Sequence, residues 1–190
     1  MVASNDQDQD RAGYDIVDLI HERHAQICDA FAAVIAAEGP VKAALFDELV
    51  TSLAVREAVA QELIRPLVED QGPVRSSVTT GLEEQTERMS HLSRLSSMAV
   101  EDANFDVELI GVARAVTLDI EAQERDDLPL LRRSLPAGEL RALAELLVSA
   151  ETIARASAGA IQTEITSPDT LGPREVFAAL GATIRGANRP

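Results

Sequence analysis

Cysteine, tryptophan and basic charge are all scarce in this chain of 190 residues. A single cysteine, Cys28, excludes an internal disulfide and any cysteine-rich zinc or iron–sulfur site. With no Trp and only 3% aromatics, there is little material for base-stacking platforms or aromatic ligand cages. Lys and Arg number 17 against 32 Asp and Glu, and the resulting net charge of −15 repels phosphate backbones and anionic lipid headgroups. Neither nucleic acid nor a membrane surface is therefore an expected partner. No stretch approaches the roughly 20 apolar residues of a membrane span. The opening MVASNDQDQDRAG has neither the basic start nor the apolar run of a secretory leader, so the expected compartment is the cytoplasm. A Gly-x-Ser-x-Gly elbow and a glycine-rich phosphate loop are both missing, which leaves hydrolase and nucleotide-binding chemistry without support.

What the chain does have is helical periodicity. Hydrophobic residues at 46% and charged residues at 26% are a globular balance, and the length suits one domain with an appendage. From Asp15 to Glu38, residues Ile16, Leu19, Ile20, Ile27, Phe31, Val34 and Ile35 recur at helical spacing, and Gly39-Pro40 is read as the stop. A second helix is predicted from about Val41 to Asp70, on a stripe of Leu45, Leu49, Leu53, Val59, Leu63 and Leu67, with Pro66 kinking its last turn. The Gly-, Pro-, Ser- and Thr-rich segment Gln71–Gly81 reads as a connection. A third helix is predicted over Leu82–Ala99. A fourth starts near Asn104, with Phe105, Leu109, Val112, Val116 and Ile120 inward until Pro129 disturbs it. A fifth runs from Pro136 to about Ala158 on Leu140, Leu143, Leu147 and Ala150. A loop follows over Ile161–Gly172, and a short sixth helix after Pro173. Strand alternation is essentially absent. The fold class is all-α, an antiparallel up-down four-helix bundle with extra C-terminal helices.

An internal similarity carries the informative residues. VREAVAQELIRPLV at 55–68 aligns with LDIEAQERDDLPLL at 118–131 with the prolines in register, pairing Arg56 with Asp119 and Ala60 with Gln123. A histidine-bearing helix precedes each half, with His24 in the first and His91 in the second. His24 lies on the apolar stripe between Ile20 and Ile27. Arg56 and Ala60 continue the stripe of the second helix, and Asp119 and Gln123 that of the fourth. A buried polar group costs a few kcal/mol unless it is partnered, so several at one bundle level point to a network or a site.

DIVDLIHERHAQI, LAVREAVAQELIRPLV, SHLSRL and LDIEAQERDDLPLL together resemble the hemerythrin-like (HHE cation-binding) family over roughly Tyr14–Leu135. The resemblance implies a four-helix bundle that holds two non-haem irons between histidines and glutamates. It divides the chain into a flexible acidic N-terminus (1–13), a hemerythrin-like bundle (14–135) and a C-terminal helical extension (136–190). The family's ligand positions fall on His24, Arg56, Ala60, His91, Asp119 and Gln123, of which two keep the expected residue. Ala60 cannot ligate, Gln123 is a weak neutral donor, and Arg56 brings a permanent cation to where the metals would lie.

Two readings follow from that substitution pattern. In the first, no cofactor is present and Arg56 supplies the missing positive charge. It pairs across the bundle with Asp119 and Glu62, with His24 and His91 hydrogen-bonded nearby. The protein is then a non-enzymatic structural, sensory or interaction module. In the second, iron or another divalent cation is retained by His24, His91, Asp119 and a glutamate, Glu57 or Glu62, for oxygen, redox or iron sensing. A homo-oligomer or protein partner could further use the C-terminal helices, whose apolar faces need cover from the bundle or another subunit. Of the remaining residues, His21 reads as a boundary residue at the flank of the stripe, and Cys28 as a small buried hydrophobe. The acidic run Glu121, Glu124, Asp126 and Asp127 lacks the glycine turn of a calcium loop.

Overall fold

Asp15 starts the first helix. Its carboxylate accepts from the backbone N–H groups of Val17 (2.8 Å) and Asp18 (3.2 Å), while the Asp18 side chain accepts from the Asp15 N–H, a reciprocal capping box. The computed structural model describes residues 14–70, 87 and 90–164. Helix α1 (Ile16–Ala36) ends at Ala37, whose backbone turns extended. Gly39-Pro40, expected to terminate α1, instead opens the next helix. Gly39 adopts φ +55°, which a side chain would resist, and Pro40 occupies the first turn, where its missing N–H is harmless.

Helix α2 runs as Gly39–Val59, passes through a wide π turn at Ala60–Ile64 and continues as Arg65–Asp70. Residues 90–96 form a helical segment, α3. Helix α4 has the same construction as α2: Phe105–Ala122, a π turn at Gln123–Asp127, then Leu128–Ser134. Each wide turn is closed by a backbone bond over five residues, Arg65 N–H to Ala60 C=O and Leu128 N–H to Gln123 C=O. The cause lies just downstream. Pro66 and Pro129 have no N–H to offer, and each ring would strike the carbonyl four residues earlier, so widening the preceding turn relieves both problems without breaking the helix. The prolines thus act one turn earlier than the kink read from the sequence.

Helix α5 (Ala137–Glu164) is longer than expected, and Ile161–Glu164, read as loop, is helical. The Gln71–Gly81 connection, the start of the third helix and everything after Glu164, including the sixth helix, lie outside the described residues. No strand occurs among the described residues, and none of their helices is long and apolar enough to cross a membrane. The inner face of α5 is covered by the bundle itself: Leu140, Ala144, Leu147, Ala150 and Ala154, at helical steps, bury against α1 and α2. Arg132, near the end of α4, donates to Asp15 (2.9 Å) and Asp18 (2.7 Å), tying that end to the start of α1.

The apolar core forms two compartments. One gathers Ile16, Leu19 and Ile20 of α1 with Val55, Val59, Leu63, Leu128, Leu131 and the face of α5. The other gathers Ile27, Phe31 and Val34 with Phe46, Leu49, Leu92, Leu95, Phe105, Leu109 and Val116. Leu109 is 0% exposed in the second compartment, whereas Val107, two residues away, is 69% exposed. We therefore predict that Leu109→Ala lowers unfolding free energy by about 2–5 kcal/mol in urea titrations, while Val107→Ala changes it by less than about 0.5 kcal/mol.

Candidate functional site

The two compartments part where the polar residues lie: His24 between Ile20 and Ile27, Arg56 and Glu57 after Leu53, and Asp119 to Glu124 between Val116 and Leu128. At the centre is Arg56, whose side chain is only 10% exposed. One guanidinium nitrogen donates to Glu57 Oε1 at 2.7 Å, and the other to Asp119 Oδ2 at 2.9 Å and to Gln123 Oε1 at 3.4 Å. Gln123 in turn donates to Asp119 Oδ2 at 3.0 Å. Arg56 and Asp119 stand 63 residues apart and occupy equivalent places in the two repeats. Burial alone would pull the Arg56 pKa down, but Glu57 and Asp119 together hold it above its ordinary value, so the group stays a cation.

The second carboxylate on Arg56 is Glu57, in place of the expected Glu62. Residue 57 is buried because α2 is enclosed on most sides: Leu53, Ala54, Val55, Glu57, Ala58 and Val59 are all buried. Glu62 is only half-buried, in the π turn, where it makes interactions of its own.

His24 is the third member of the layer, with a side chain 4% exposed. Its Nδ1 lies 2.8 Å from Glu124 Oε1, and Nδ1 of the exposed His21 lies 3.0 Å from the same oxygen. Burial pushes the His24 pKa below its ordinary value, against the pull of the Glu124 hydrogen bond, and the Arg56 charge adds to the depression. Neutral His24 therefore donates Nδ1–H to the carboxylate. Burial would raise Glu124, but its two histidine partners bring it below its usual value.

His91 does not join the layer. It is exposed, because Leu92 and Leu95 take the inward positions of α3 and leave residue 91 about 100° round the helix. Cys28, expected to be buried, is exposed for the same reason beside Ile27. Ala60 carries no donor, and no group of three or more His, Cys, Asp or Glu among the described residues could hold a metal ion. Sequence reasoning gave Glu124 no role, and it passed over Lys42, a buried cation paired with Asp106 at 2.6 Å. Glu124 lies in the π turn of α4, whose signal in the sequence is the proline just downstream. Arg23, bonded through Nε to both oxygens of Glu151 at 3.0 Å, links α1 to α5 and was likewise missed.

The buried ion pair makes a sharp prediction. Arg56→Ala takes the cation away from two carboxylates, one of them buried, and should cost about 3–5 kcal/mol of unfolding free energy. Replacing the group together by Arg56→Met, Glu57→Gln and Asp119→Leu should recover most of that loss. A second prediction concerns pH. His24 in the unfolded chain titrates near 6.5 and in the fold below that, so the unfolded state binds the extra proton first. Stability should then fall as pH drops below 6.5, with a further loss below 4.5 as Glu124 protonates. His24→Gln should remove the upper part of that slope in melting curves at pH 7.5, 6.5 and 5.5, chosen as roughly bracketing the imidazole range.

No family model matches the chain, and no curated protein does. Among solved structures, a hemerythrin HHE cation-binding domain-containing protein from Mycobacterium kansasii superposes with a TM-score of 0.72 at 18% identity, covering 90% of this chain and 99% of its own. Tyr14–Leu135 alone cannot reach that coverage, so part of the C-terminal extension belongs to the shared architecture. The chain has an all-helical, hemerythrin-like fold.

Proposed function

We propose that this protein is a hemerythrin-like module whose interior is charge-balanced by side chains in place of a metal centre, and that it works as a non-catalytic structural, sensory or interaction domain. The observation that carries the reading is Arg56, buried with a carboxylate on each side at the level where the fold family holds its ions. A permanent guanidinium there opposes any divalent cation by direct charge repulsion, and its two carboxylates are already engaged. The donor set does not fit a diiron centre either. Of the six family positions, His24 is turned to Glu124, His91 faces water, Ala60 has no donor, and Asp119 and Gln123 are bonded to Arg56. The net charge of −15 favours partners other than nucleic acid, and a reducing, cytoplasmic setting suits the lone thiol.

Metal analysis of untagged protein tests this reading. The expected result is far less than one transition-metal ion per chain and no charge-transfer absorption in the near ultraviolet. Stoichiometric iron would overturn it in favour of a cation-binding function. The combined variant Arg56→His, Ala60→Glu, Asp119→His and Gln123→Glu should take up metal above the wild-type level, since it restores donors at the positions that lost them.

A further inference from the structure

Beside the polar layer, α5 flanks a groove between α1 and α2 that forms a half-open cavity of about 100 Å³. Its walls are mostly apolar, with Ile20, Ile27, Val59, Ile64 and Leu147 prominent. Ala60 is among its walls and contributes only a methyl group. Engineered apolar cavities of about 150 Å³ accept a benzene-sized guest, which sets the scale of what fits here.

The charged lining is uneven. Arg23, Arg56 and Arg155 contribute cations, and Glu151 is the acidic residue among them. Arg56 is neutralised by Glu57 and Asp119, and Arg23 by Glu151. Arg155, one turn beyond Glu151 on α5 and exposed at the cavity's edge, has no hydrogen bond or ion pair among the described residues. In a chain this acidic, a guanidinium with no carboxylate partner among the described residues, at the mouth of an apolar cavity, matches one kind of guest: a monoanion with a short apolar body. A dianion would carry a surplus charge toward Glu151, and a neutral guest would leave Arg155 unanswered.

We propose that this cavity is a binding site for a short-chain monocarboxylate, its carboxylate held by Arg155 and its branched or linear carbon body seated against Leu147, Val59 and Ala60. A planar carboxylate suits the fork of a guanidinium, and the small contact area limits affinity to the order of millimolar. The proposal goes beyond the metal-free reading of the layer, resting on it only in that Arg56 stays in its ion pair as one wall of the cavity.

Isovalerate is the probe and isovaleramide its uncharged isostere, each titrated into the full chain by calorimetry and by thermal melting. Isovalerate should bind saturably at one site and raise the melting temperature, and the amide should not. Arg155→Gln, an exposed change that leaves the fold intact, should weaken isovalerate binding roughly tenfold or more, the loss expected for a charge-assisted hydrogen bond. Ala60→Leu should abolish binding by filling the space, its unliganded melting curve serving to show that the protein is folded. Equal binding of acid and amide, an unaffected Arg155→Gln variant, or no saturable binding of isovalerate would each overturn the proposal. Metal content measured on the same preparation separates the two readings: bound iron overturns the metal-free layer whatever isovalerate does, and metal-free protein that ignores isovalerate overturns the cavity proposal alone.

Discussion

Everything inside this bundle is arranged around one guanidinium that cannot lose its proton. Taking Arg56 out of water is affordable only because Glu57 and Asp119 approach it from two sides and Gln123 completes the hydrogen bonding. That requirement fixes the register of α2 against α4, since the contact joins equivalent points of the two repeats. It also explains the divided core. Apolar side chains fill the interior on either side, and the charged layer occupies the level between them.

The two prolines and the two π turns belong to the same construction. A helix that admits one extra residue per turn rotates everything beyond it by about 100° relative to an uninterrupted helix. In α4 the wide turn begins at Gln123, and Glu124, its second residue, holds His24. In α2 it begins at Ala60, which lines the cavity under α5. The wide turns thus adjoin both features: Glu124 belongs to the polar layer and Ala60 to the cavity wall.

How much of this could be read from the sequence depended on which rule each element obeys. Helices α1 and α4 follow a one-sided apolar stripe, and Ile16, Leu19, Ile27, Leu109, Val112 and Val116 all lie in the core, at the positions that periodicity indicates. The repeat made Arg56 and Asp119 visible as a pair of opposite charges at equivalent positions. Glu57 was read as a possible metal ligand and not as a partner of Arg56, because neighbours on a helix do not normally share a face. It is buried because this stretch of α2 is enclosed on most of its sides, with Leu53, Ala54, Val55, Ala58 and Val59 buried around it. Glu124 was hidden in an acidic run that was weighed only against a calcium loop. His91 and Cys28 illustrate the opposite error: each lies one position from a true core residue, and a shift of one residue is enough to move a side chain from the interior to water.

The outward position of Cys28 has a practical side. It is the chain's lone sulfhydryl, and it sits one helical turn past His24 on the solvent face of α1. A fluorophore or spin label can be attached there without altering a single codon, placing a reporter close to the charged stratum. By the same token, any disulfide-linked pairs that arise in material kept without reductant join through this exposed thiol and are not evidence of a native assembly.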